Sequence, residues 1–76
     1  GEDLPTLAVA EGMSLPAALS AIGFTASNKE AKRKIAEGAV RLDDEVLSDP
    51  GMVLTVEEGQ QRRLSLGRKK HGILTR

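Results

Sequence analysis

The chain is 76 residues long, balances 11 Lys and Arg against 11 Asp and Glu, and has no cysteine. A length like this supports one small core, and with no cysteine neither a disulfide nor a thiolate metal site can reinforce it. Residues 1–28 sum to −3, 29–41 to +3, 42–58 to −6 and 59–76 to +6, so the geometry of charged patches, rather than net charge, governs any partner.

Leu4-Pro5-Thr6-Leu7-Ala8-Val9 reads as a short edge strand, with Pro5 near its start, where a missing N–H is tolerated. Ser14 then caps a helix from Leu15 to Gly23, with Pro16 in the first turn and Gly23 as the C-cap. Leu15, Ala18, Leu19 and Ile22 fall at i, i+3, i+4 and i+7, which gives this helix one apolar face and a structural role.

Residues 27–41 read SNKEAKRKIAEGAVR. Ser27 and Glu30 have the spacing of a capping box, and Gly38 closes the second helix. At about 100° per residue, Ala31 and Ile35 share the buried face, while Lys29, Lys32 and Arg33 share the exposed one. Glu30 and Lys34 are expected to pair at i, i+4. Lys29 and Arg33 have the same spacing and repel, a cost that an anion lying against them would relieve.

From Ala39 the period changes to two. Val40 and Leu42 alternate with Arg41, Asp43-Asp44 form a tight turn, and Glu45-Val46-Leu47 return. Asp49-Pro50-Gly51 is a turn signal, after which Val53, Leu54 and Val56 predict a further strand and Glu57-Glu58-Gly59 a further turn. Leu64 and Leu66 alternate with Arg63 and Ser65, Gly67-Arg68-Lys69-Lys70 reads as a hairpin loop, and His71 to Leu74 form the last strand. The expected fold class is α+β, two helices packed on a small antiparallel sheet, with residues 1–76 as a single domain. Because the chain opens on Gly1 rather than Met, it is expected to be a piece of a longer protein.

Residues 26–46 resemble the S-four-type RNA-binding domain, or αL motif: Ala26-Ser27, then Ala31 with flanking cations, Ile35, Gly38, and Val40 to Val46. The preceding Leu15–Gly23 helix fits the first helix of that family. Over residues 4–75 the chain is also similar to the C-terminal domains of bacterial tyrosyl-tRNA synthetases, through its leading strand, its Asp49-Pro50 step and its terminal Gly67-Arg68-Lys69-Lys70 hairpin. Four positions depart from the pattern. Asn28 stands where a cation is usual, with Lys29 beside it to substitute, and Lys34 occupies a position that is normally aliphatic. Asp43-Asp44 replace Asn-Gly, and since Asp tolerates positive φ less readily than Gly, a less regular turn is expected.

The resemblance implies a non-catalytic module that binds tRNA, in particular tyrosine tRNA, within a cytoplasmic, homodimeric, ATP-dependent tyrosine–tRNA ligase. The candidate RNA-binding residues are Lys29, Lys32, Arg33, Arg41, Arg68, Lys69 and Lys70, whose charges can neutralise phosphates and release counterions. The only aromatic residue, Phe24, reads as core between the helices, so base stacking is unavailable and contacts through phosphates and shape are expected. No nucleophile–base pair, glycine-rich phosphate cradle or carboxylate dyad occurs, so no catalytic residue and no cofactor is assigned. His71 alone cannot build a metal site, and no apolar run approaches the roughly 20 residues of a membrane span. Blander readings stand beside these: a basic helix stripe is most often a solvated face, His71 is a strand surface residue, and Arg62 and Arg63 solubilise an edge strand. The same module in a pseudouridine synthase or a ribosome-associated protein, or a protein-interaction domain pairing its charge blocks with another protein, are the alternative functions.

Overall fold

A computed structural model describes residues 4–76. Glu2 and Asp3, counted in the first acidic block, lie outside them. The elements follow in the order β1 (Thr6–Ala8), α1 (Leu15–Ala21), α2 (Asn28–Ala36), β2 (Val40–Leu42), β3 (Glu45–Leu47), β4 (Arg62–Leu66) and β5 (Lys70–Thr75).

Both helices start at the serine caps and stop at the glycines read from the sequence. The Ser14 hydroxyl accepts the Ala17 N–H at 3.3 Å, and the Ser27 hydroxyl accepts the Glu30 N–H at 3.2 Å, each satisfying a donor with no partner inside its helix. Gly23 and Gly38 follow the C-caps Ile22 and Glu37 with φ of +89° and +76°, the left-handed conformation that ends a helix at little steric cost.

The five strands form one sheet in the order β1-β5-β4-β2-β3. β2 to β5 make the expected antiparallel core, with Val40 opposite Leu66 and Leu64 opposite Gly72. β1 joins as an edge strand but runs parallel to β5, pairing Thr6 with Ile73 and Ala8 with Thr75, so the sheet is mixed rather than wholly antiparallel. β5 also starts earlier than expected: Lys70 pairs with Leu66 inside the ladder, which leaves Gly67-Arg68-Lys69 as the hairpin loop.

The strand expected at Val53–Val56 does not join the sheet. Val53 makes one isolated bridge to Ser14, and Leu54 donates its N–H to the Met13 carbonyl at 2.8 Å. Its partner segment turns into α1 at Ser14, so the ladder has nothing to continue along. The alternation is nevertheless kept, because Leu54 and Val56 are buried under this strap while Val53 points outward.

One face of the sheet carries Val40, Leu42, Leu64, Leu66 and Leu74, all buried, and the helices cover it with Leu15, Leu19, Ala31 and Ile35. Phe24, 6% exposed, fills the turn between the helices, as expected of a core aromatic. The fit is tightest at Gly72 of β5, where an added Cβ would lie 2.5 Å from Ile22 Cδ1 and 3.1 Å from the Pro5 carbonyl oxygen. Among the described residues, no helix covers the opposite face of the sheet.

Candidate nucleic-acid interface

α2 presents its cations as its periodicity requires. Ala31 and Ile35 are fully buried against the core, which fixes the roll of the helix and turns Lys29, Lys32 and Arg33 into solvent. Lys29 and Arg33 flank one open concavity with Ser27 and Glu30, next to the capped N-terminus of the helix. Lys32 stays on the exposed surface outside it.

Lys34 behaves differently. Its side chain is 35% exposed and pairs with Glu37 at 3.8 Å rather than with the expected partner Glu30. It lies on the flank that meets the β4–β5 hairpin and lines an open concavity with Arg68, Lys69 and Lys70. The hairpin is held against this end of the helix by the Gly67 N–H, which donates to the Ala39 carbonyl at 2.9 Å. A third concavity, beside the one at the hairpin, joins Arg41 to Arg68 across Gly38, Ala39 and Gly67. Arg68 therefore links two groups of cations, one reaching α2 through Lys34 and one reaching the sheet through Arg41.

Two bonds set the shape of the hairpin. The Lys70 ammonium donates to the Phe24 carbonyl at 2.8 Å, tying the base of the hairpin to the turn between the helices. His71 Nε2 lies 2.9 Å from the Arg68 carbonyl oxygen. A carbonyl only accepts, so this nitrogen carries the proton and donates. His71 thus braces the loop that displays Arg68 and Lys69.

No family model matches the chain. Over 75 residues it is 47% identical to a tyrosine–tRNA ligase of Novosphingobium aromaticivorans, a match that covers 97% of the chain and 18% of that protein. Tyrosine–tRNA ligases of Dinoroseobacter shibae and Paracoccus denitrificans are 39% identical over 82 residues and 45% identical over 68, covering 100% and 88% of the chain. The chain is a homologue of one segment of the tyrosine–tRNA ligases. It spans 16–20% of the length of these three relatives.

The features of this ligase-like segment that sequence reasoning missed lie at its other end. The Asp43-Asp44 turn, expected to be irregular, places both residues at positive φ, +52° and +68°, as a type I′ hairpin requires. Asp43 supports that geometry with its side chain: one carboxylate oxygen accepts the Arg63 N–H at 2.9 Å, and the other accepts from Arg62 Nε at 2.9 Å. The Arg63 N–H first, and then the Arg62 guanidinium, hold the Asp43 carboxyl below its ordinary value of 3.8. Arg62 also donates to the Thr55 carbonyl at 3.1 Å, fastening the 48–61 loop to the sheet. Arg62 is therefore a structural cation. The i, i+20 relation between Asp43 and Arg63 leaves no local signal, although an Asp in place of the Asn of a hairpin turn was a departure open to question.

Among the described residues, no helix is long and apolar enough to cross a membrane, and no group of three or more His, Cys, Asp or Glu is placed to hold a metal ion.

Proposed function

We propose that the chain is the C-terminal tRNA-binding module of a cytoplasmic tyrosine–tRNA ligase, gripping tyrosine tRNA chiefly through its phosphates. The observation that carries this reading is the match of nearly the whole chain to segments of proteins named tyrosine–tRNA ligase. The arrangement of charge supports it. Lys29, Lys32 and Arg33 face solvent along α2, while Lys34, Arg41, Arg68, Lys69 and Lys70 gather where α2 ends and the hairpin folds back. With Phe24 buried and no Tyr or Trp in the chain, no large aromatic ring is available as a stacking platform, so the affinity is chiefly electrostatic and depends on salt. The module contributes no catalytic group. ATP-dependent activation of tyrosine and assembly of the homodimer belong to the remainder of the ligase.

The experiment is a fluorescence titration of labelled tyrosine tRNA with the chain and with its Lys32→Glu/Arg33→Glu variant. Binding by the first and its loss in the second, with both variants equally folded, is the expected result. Equal binding by the two would return the stripe on α2 to the status of a solvated face.

A further inference from the structure

The face of the sheet that no helix covers carries a pattern of its own. Strand register places Val46, Arg41, Ser65 and His71 in one row across β3, β2, β4 and β5, with Arg63 and Ile73 in the next row. Arg41 and Arg63 are both exposed, and Arg63 sits diagonally from Arg41, a separation of about 7–8 Å between Cα atoms. Ser65, directly opposite Arg41 and two residues along the strand from Arg63, is 9% exposed, so both arginines border a small residue. The remaining positions of this face, Thr6, Ala8 and Thr75, are uncharged, and none of its strand positions is a carboxylate. No carboxylate lies within 4 Å of either guanidinium among the described residues.

The geometry points to this open sheet face as a second phosphate-binding surface, on which Arg63 and Arg41 continue the cationic line that starts at Arg68. The inference rests on the tRNA-binding reading above and adds to it a surface and a residue, Arg63, outside the helix and the hairpin loop. Its occupant is the phosphodiester backbone of RNA. A face with two arginines that have no ion-pair partner among the described residues, and no carboxylate at its strand positions, complements a polyanion, and Arg guanidinium groups suit phosphate geometry. The face has no Phe, Tyr or Trp, and its one ring, His71, is tied to the Arg68 carbonyl, so contact through phosphates outweighs base stacking here. Arg41 makes the surface continuous, because it lines the concavity that contains Arg68.

Adjacent arginines supply the test. Arg63 points to the open face, whereas Arg62 points to the other side and is held by Asp43 and the Thr55 carbonyl. Tyrosine tRNA transcript is titrated with the chain, Arg63→Gln and Arg62→Gln at several salt concentrations, with melting curves for all three. Arg63→Gln is expected to reduce the salt slope by about one and the affinity roughly five-fold, without a change in Tm. Arg62→Gln is expected to lower Tm and leave the slope in place. If the unaltered chain binds and Arg63→Gln leaves its slope unchanged, the open face is not an RNA surface, while the helix-and-hairpin reading stands. If the unaltered chain fails to bind the transcript, both fall.

Discussion

Asp43 faces Arg63 one step beyond the last regular pair of β2 and β4, and the two residues exchange hydrogen bonds as a strand pair would. The Asp43 N–H donates to the Arg63 carbonyl at 2.8 Å, but the Arg63 N–H returns to the Asp43 carboxylate, at 2.9 Å. At φ +52° the backbone has already turned away, and the side chain takes over as acceptor. Asp44, next in the chain at φ +68°, makes no comparable bond. The two aspartates share a backbone region and differ in what their side chains do.

Opposite outcomes follow for the same substitution. Asp44→Gly relieves a left-handed residue with a Cβ, offset in part by the greater freedom of glycine in the unfolded chain, and is expected to stabilise by up to about 1 kcal/mol. Asp43→Gly relieves the same strain but leaves the Arg63 N–H without its acceptor and Arg62 without its carboxylate, and is expected to destabilise by about 1–3 kcal/mol. Thermal melts of the two variants compare them directly; a stabilising Asp43→Gly would show that the carboxylate contributes nothing.

The same carboxylate predicts a pH dependence. Its folded-state pKa is depressed, first by the Arg63 N–H and then by Arg62. The stability it confers is therefore complete above the unfolded value and lost as pH falls through the folded one. Asp43→Asn keeps an acceptor oxygen but has no charge to lose. The gap in Tm between the chain and this variant should narrow as pH is lowered from about 5 to about 2. A gap that stays constant over that range would contradict the assignment.

Core packing and surface charge should separate cleanly. Ile35 is fully buried, and Ile35→Ala should cost about 2–5 kcal/mol, a large share of the roughly 4–11 kcal/mol expected for a chain of this length. Gly72→Ala should also destabilise, by about 1–3 kcal/mol, because its methyl would run into Ile22 and the Pro5 carbonyl. Urea titrations measure both.

Lys32→Glu/Arg33→Glu should change stability by no more than about 0.5 kcal/mol per site, since both side chains are solvated. RNA affinity should fall at least about ten-fold. A large loss of Tm in this variant would mean that these cations hold the fold rather than face a ligand.

The helices were legible because their signals are local: Ser14 and Ser27 at the starts, Gly23 and Gly38 at the ends, and the apolar spacing of Leu15 and Leu19 or Ala31 and Ile35. Strand identity was legible where the alternation is strong, as in Val40 to Leu42 and Leu64 to Leu66. What failed depended on partners distant in sequence. Nothing near Val53 shows that its partner, Ser14, leaves at once for a helix. Nothing near Thr6 shows that β5 will run parallel to it. At the candidate interface, Lys34 was read as a departure from an aliphatic pattern, yet it is the α2 cation that meets the hairpin, because the roll of the helix is set by Ala31 and Ile35.

The central claim is that this chain holds tRNA by its phosphates, and the salt dependence of binding to tyrosine tRNA tests it most directly. With about four to six phosphate contacts, log affinity plotted against log salt should fall with a slope of roughly −3 to −5. A titration in which affinity does not change with salt would contradict the account.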